Sequence, residues 1–158
     1  MTTLRSVLTR HDREVLGHLD REAQVPVVAF GRQGDVVVVA DSVTGWASTQ
    51  PDAPVPPEGI PVVRGETGGN THLLVADGGA RFAWADEGTA RWADLGPFDP
   101  ELLDVGTDRR RIGTLAVDPG AVAYLIHEEH GAIGFAPGRY AVLRQREFDG
   151  FGVYDVLD

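Results

Sequence analysis

The chain has 158 residues, the usual size of one domain, and no cysteine, which excludes disulfides, thiolate metal ligands and cysteine nucleophiles. Its formal net charge is −10, with 24 acidic residues against 14 basic ones, all of them arginine. This charge repels phosphate backbones and argues against nucleic-acid binding. The acidity indicates either a solubilising surface, or mimicry of nucleic acid or docking to a basic partner.

The N-terminal segment has the periodicity of an amphipathic helix over residues 3–22. Four apolar residues of this segment fall on one stripe, with charged residues opposite: Leu4, Leu8, Val15 and Leu19. The pattern predicts one helix or a broken pair, and we divide the chain into a helical segment, 1–24, and a β-rich domain, 25–158. The stripe needs a covering surface, so the helix is expected to pack on the domain or to mediate self-association with a second copy.

After residue 24 the pattern changes to short β-branched runs. Residues 25–30 and 35–40 are predicted to be two strands joined by a turn at 31–34. Residues 41–61 hold five prolines, all between positions 51 and 61, and are predicted to be a loop without regular structure.

Further short strands are expected along the rest of the chain, at residues 61–64, 71–76, 81–85, 91–94, 112–118, 122–127, 139–146 and 152–157. A proline at the second position of the segment 99–103 predicts one short internal helix there. Short strands at even spacing predict a mainly β fold, either a small β-barrel or a β-sandwich.

The sequence HEEHG at residues 127–131 is the strongest candidate for chemistry. His127 and His130 flank two carboxylates and offer the mixed nitrogen and oxygen ligands that zinc, iron or manganese accept. Because the flanking residues are β-type, the two histidines would face opposite sides unless the segment turns, and Gly131 makes a turn possible. Both a structural role and a metal or catalytic role remain open.

A glycine-rich stretch at residues 65–72 is the second candidate. It ends at His72, with Glu66 nearby, and it lacks the lysine and the spacing of a phosphate-binding loop. We therefore treat His72, His127, His130 and Glu66 as candidate ligands of a divalent transition metal. The alternative is that the glycines only form turns.

Four other residues are candidates for contact with a ligand or a partner: Tyr140, Arg144, Arg146 and Trp46. Arg144 and Arg146 share one face of a predicted strand, where they could bind a carboxylate or phosphate or form surface ion pairs. Trp46 is expected either to anchor a loop or to contact a ligand.

The motifs together resemble a family of small uncharacterised bacterial β-rich proteins. The shared elements are RQGDV at 32–36, a glycine-glutamate loop leading to His72, HEEHG at 127–131, and a tail from Pro137-Gly138 to the RQRE sequence at 144–147. The order of motifs is also loosely similar to that of cupins, whose small barrels hold a metal on two separated motifs. This chain has Asn70 where a histidine is usual in that pattern. The resemblance implies one domain over residues 31–149 and carries no settled activity.

Two functions follow as expectations. The first is a non-enzymatic accessory protein, in which the acidic β-rich domain docks to a protein partner or assembly. The second is a cupin-like metal-dependent enzyme or small-ligand binder that uses His72, His127 and His130.

The N-terminus has no apolar run typical of a signal peptide, and the longest apolar run, 36–40, is too short to cross a bilayer. A cytoplasmic location without membrane contact is therefore expected.

Overall fold

The computed structural model describes residues 2–44, 51, 53–63, 71–85, 107–148 and 153–155, with the backbone alone at 43–44, 107–111, 145–148 and 153–155. Within these residues the two helices are α1 Leu4–His11 and α2 Asp41–Thr44. The strands are β1 Phe30–Gln33, β2 Val36–Ala40, β3 Ala53–Pro54, β4 Ile60–Val63, β5 His72–Asp77, β6 Ala80–Trp84, β7 Thr107–Val117, β8 Val122–His127, β9 Gly131–Phe135, β10 Gly138–Phe148 and β11 Val153–Asp155.

The strands form two antiparallel sheets. The first sheet has the order β1-β2-β10-β7-β6-β3, with β11 also paired to β10, and the second has the order β4-β5-β8-β9. Apolar side chains from both sheets meet in one core cluster, which includes Val38, Leu74, Leu115, Leu125 and Phe135. The predicted mainly β fold is confirmed, and of the two predicted architectures the structure is the sandwich, because the sheets do not close into a barrel.

Strand β2 consists entirely of apolar residues, and all of them are buried. Val36 and Val38 point into the core between the sheets, whereas Val37 and Val39 pack with Ala141 in a separate cluster on the other face of the first sheet. Both faces of the strand are therefore buried, and alternation with polar residues is lost.

Helix α1 is shorter than the predicted helix over residues 3–22. It ends at His11 because Asp12 adopts the left-handed conformation, with φ of 51°, and its backbone N–H bonds back to the carbonyls of Leu8 and Thr9. The chain continues in turns, yet Val15 remains buried with the helix residues against the second sheet. The amphipathic pattern therefore predicted the buried side correctly and the length of the helix wrongly.

The stripe of α1 packs on the chain's own domain. Leu4, Val7 and Leu8 are buried together with Tyr124 and Ile126 of β8. A second copy would therefore have to contact the exposed face of the helix, and self-association through the helix stays a prediction.

The first hairpin lies further along the chain than predicted. Its strands pair from Phe30 opposite Val39 to Gln33 opposite Val36, so the turn falls at Gly34-Asp35 rather than at residues 31–34. The preceding residues instead bridge to the second sheet, where Val28 N–H donates to the Gly134 carbonyl and the Pro26 carbonyl accepts from Gly134 N–H. This bridge to β9 places residues 26–28 outside the first sheet.

Two strands were missed, and the predicted irregular loop at 41–61 was partly wrong, since it also contains the short helix α2. The proline-rich stretch contains β3 at the edge of the first sheet and the start of β4 in the second, so it crosses from one sheet to the other. Proline is tolerated there because edge strands need not donate every backbone N–H. The second missed strand, β9, forms a hairpin with β8.

The predicted internal helix at 99–103 and the predicted strand at 91–94 lie outside the described residues, and the short helix α2 was not predicted. None of the helices in the described part of the chain is long and apolar enough to span a membrane.

Candidate functional site

His72 and His127 are neighbours across two paired strands. The pairing of β5 with β8 places Leu73 opposite Ile126, and extending this register by one residue places His72 opposite His127. Their rings lie 4.3 Å apart between centroids, tilted by 35°. Both side chains are almost completely buried, with 0% and 1% of the residue surface exposed. Each histidine lies on the core-facing side of its strand, two residues from a buried leucine: Leu74 on β5 and Leu125 on β8.

The turn between β8 and β9 brings His130 onto the same stack. Residues 128–130 form the turn, and the positive φ of Gly131, 80°, allows the chain to enter β9. The ring of His130 stacks on that of His127 at 4.6 Å with an interplanar angle of 22°. The three rings, called the histidine stack below, run from the buried core at His72 to the exposed surface at His130.

Two backbone hydrogen bonds hold the turn in place. The Glu129 N–H donates to Nδ1 of His127 at 3.2 Å. In the segment that follows helix α1, Leu16 donates its backbone N–H to the carbonyl of Glu128 at 2.9 Å. The N-terminal segment thus contacts the turn that carries the histidines.

The first sheet contributes charged and amide groups to the inner end of the stack. Nε2 of His72 lies 2.9 Å from the main-chain carbonyl of Gln33, and because a carbonyl only accepts, this nitrogen carries the proton. Nδ1 of His72 lies 3.7 Å from a carboxylate oxygen of Asp35. The other oxygen of Asp35 accepts from Nε of Arg144 at 3.0 Å. Four buried polar residues of the two sheets therefore meet at one end of the sandwich: Gln33, Asp35, His72 and His127.

Three residues of the turn and its base have the composition of a metal site. Ligand atoms of His127, Glu129 and His130 all lie within 4.8 Å of one another. Two imidazoles and one carboxylate suit zinc and other borderline divalent metals. His127 is buried, whereas Glu129 and His130 are exposed, so an ion bound here would keep contact with solvent.

The structure brings together three of the four predicted metal ligands, His72, His127 and His130. Of these, His127 and His130 belong to the group with metal-ligand spacing, and His72 stacks behind them. Glu66 and Trp46 lie outside the described residues, as does the side chain of Arg146.

Of the predicted contact residues, Arg144 and Tyr140 lie in different places. Arg144 binds Asp35 next to the histidine stack. Tyr140 lies four residues earlier on the same strand, about 13 Å away at the usual strand rise. There it lines a separate cleft of about 610 Å³ beside Asp41 and Arg139, and its hydroxyl donates to the carbonyl of Ala136 at 2.6 Å. Burial raises the pKa of the Tyr140 hydroxyl above its ordinary value.

Gln33 and Asp35 were not among the predicted site residues. Both are buried, and both adjoin the apolar strand β2. Polar residues directly beside a fully buried strand are the signal that could have found them, since such groups need partners inside the protein.

The fold and site define a two-sheet β-sandwich with a polar, histidine-rich end. The chain belongs to the family described as Domain of unknown function (DUF8820), which it matches over residues 32–145. This range begins just before Gln33 and ends just after Arg144, so it includes every residue of the polar end described above. Searches of the curated proteins and of the solved structures found no match.

Proposed function

We propose that the domain binds one divalent transition-metal ion through His127, Glu129 and His130. The observation that carries the proposal is the mutual approach of their ligand atoms to within 4.8 Å. Two ligands about 2.1 Å from one ion are at most about 4.2 Å apart, so closure requires small movements. Glu129 and His130 are exposed, and exposed side chains can make these movements.

Metal binding requires His127 to give up either one hydrogen bond or one ring proton. While Nδ1 of His127 accepts the Glu129 N–H, the neutral ring carries its proton on Nε2. A metal at either nitrogen therefore displaces this hydrogen bond or the Nε2 proton. A neutral hydrogen bond contributes about 1 kcal/mol, far less than transition-metal binding, which reaches about 10 kcal/mol in structural zinc sites.

Three protein ligands, two of which lie on an exposed turn, correspond to an open coordination sphere. Sites of this kind retain a position for water or a substrate oxygen, whereas structural zinc sites have four protein ligands. The proposal therefore extends to a small-ligand binder or metal-dependent enzyme, in which the metal would polarise an oxygen of the bound molecule.

The test is titration of the purified, untagged protein with Co²⁺ and Zn²⁺, followed by visible absorption and calorimetry. We expect one ion per chain. His130→Ala and Glu129→Gln should each weaken binding at least tenfold, because each removes one of three ligands. Both residues are exposed, so these variants should fold.

The chain offers matched controls for both variants. Glu128→Gln changes the adjacent exposed carboxylate of the same turn, and His18→Ala removes an exposed histidine elsewhere. Both should bind as the wild type does. Equal binding by all four variants would reject the site. Wild-type binding as weak as that of His130→Ala and Glu129→Gln would also reject it.

Docking to a protein partner is a second proposal, supported by exposed apolar side chains. Val27 and Phe30 expose 51% and 58% of their surface. Both lie in the segment 26–30, which leads from the contact with β9 into strand β1. A partner that copurifies with the wild type and is lost on Phe30→Ser, but retained on His130→Ala, would support docking at this segment. A partner retained by Phe30→Ser would place docking elsewhere.

A further inference from the structure

Gln33 makes hydrogen bonds to both strands of the hairpin that carries the candidate metal ligands. Its side chain starts at the end of β1 in the first sheet and is 3% exposed. Nε2 donates to the carbonyl of Leu125 at 3.3 Å and to that of Gly131 at 3.2 Å. Leu125 precedes His127 by two residues on β8, and Gly131 directly follows His130. One amide group therefore ties together the two strands on either side of the turn.

The main chain of Gln33 holds the inner histidine. Its carbonyl accepts the Nε2 proton of His72 at 2.9 Å, which sets the orientation of the ring that stacks on His127. The antiparallel pair of Gln33 with Val36 fixes this carbonyl in the first sheet. The position of Gln33 thus influences both the buried end of the histidine stack, at His72, and the strands that carry its other two members.

The chemistry at this position requires an amide. Both side-chain partners are carbonyl oxygens, so the amide must present its NH₂ group, which has two protons to donate. Glutamate has the same shape but, when ionised, only accepts, and methionine has a similar length without a donor. Removing the donor leaves two buried carbonyls without this partner, each of which then loses stabilisation.

We infer that Gln33 is a positioning residue for the proposed metal site, which it does not itself touch. The inference rests on the proposed function. Partners of this kind orient the groups that bind a metal, and their loss commonly weakens metal affinity by about 10- to 100-fold.

The experiment compares Gln33→Met with Val39→Ala. Val39 is buried in the separate cluster on the far face of the first sheet, so its truncation lowers stability without contact to the hairpin. We expect Gln33→Met to raise the Kd for Co²⁺ by 10- to 100-fold and Val39→Ala to change it by less than twofold. Should Gln33→Met fail to fold, Gln33→Asn keeps the NH₂ group on a shorter stem and should show an intermediate loss.

A second readout is independent of the metal. In metal-free protein, ¹⁵N NMR of the imidazole nitrogens reports which nitrogen carries the proton. Gln33→Met should alter the His127 signals, because the strands on either side of the turn that presents the Glu129 N–H to Nδ1 lose their hydrogen bonds to Gln33.

The possible failures can be told apart. Wild-type Co²⁺ affinity and unchanged imidazole signals in a folded Gln33→Met variant would overturn the positioning role while leaving the metal site intact. Metal binding that does not depend on His130 or Glu129 would overturn the metal site itself. A fall in affinity of equal size in Val39→Ala would show a general effect of stability and would also overturn the positioning role.

Discussion

The guanidinium of Arg144 donates through Nε to Oδ2 of Asp35 at 3.0 Å. Asp35 lies in the turn after β1, and Arg144 pairs with Val36 on the neighbouring strand, so strand register alone brings the two together. The Asp35 side chain is 3% exposed and that of Arg144 is 20% exposed. The pair also faces His72 of the other sheet at 3.7 Å and so links the two halves of the sandwich.

Removing Arg144 should destabilise the protein strongly. Arg144→Met leaves a buried carboxylate without its guanidinium, which costs about 3 kcal/mol of unfolding free energy. The double variant Asp35→Asn with Arg144→Met should lose clearly less than the sum of the single changes, because it leaves no buried charge at this pair. Urea unfolding of the three variants at pH 7 measures this coupling. Additive losses would show that the pair contributes no coupling energy.

Tyr140 should make stability fall at alkaline pH. Burial raises the pKa of its hydroxyl above the ordinary value of about 10, so the unfolded chain releases this proton at a lower pH than the folded chain does. The stabilising effect is fully present below pH 10 and is lost as the pH rises through the folded pKa, by up to about 1.4 kcal/mol per pH unit.

Tyr140→Phe isolates this effect. At pH 7 the variant should lose about 1 kcal/mol, because the hydrogen bond to the Ala136 carbonyl disappears. As the pH rises above 10, the difference between wild type and variant should shrink, since only the wild type has the titrating hydroxyl. Urea unfolding at several pH values tests this, and a constant difference would contradict it.

Helix α1 should contribute to stability mainly through its buried side. Leu8→Ala opens a cavity against β8 and should cost about 2 to 4 kcal/mol. Thr9→Ala, one residue further on the exposed face, should change stability by less than about 0.5 kcal/mol. Thermal and urea unfolding give both values. Similar effects of the two changes would mean that the helix does not pack on the second sheet in solution.

Much of the fold could be predicted from local pattern. The strands at 72–77 and 122–127 were recognised because alternation and β-branched residues are properties of a few consecutive positions. The strand at 131–135 was missed because it contains two glycines and little alternation, and pairing with β8 rather than propensity stabilises it. The early end of the helix, with Asp12 as its C-cap, was not predicted for a similar reason. Apolar spacing indicates which face of a segment is buried, but not where the helix ends.

The candidate site was only partly visible in the sequence. His127 and His130 were identified from their spacing and residue types, which are local properties. The approach of His72 to His127 depends on the register of β5 with β8, and the approach of Gln33 and Asp35 depends on how the two sheets face each other.

The sequence by itself determined a mainly β fold, a buried face on the N-terminal helix and the pair of histidines proposed as metal ligands, because these follow from local residue types and from periods of two or 3.6 residues. The tertiary structure decided that the fold is a sandwich, that the histidines stack, and that Gln33 holds their hairpin. These outcomes depend on contacts between residues far apart in the chain, where the packing of both sheets selects one register.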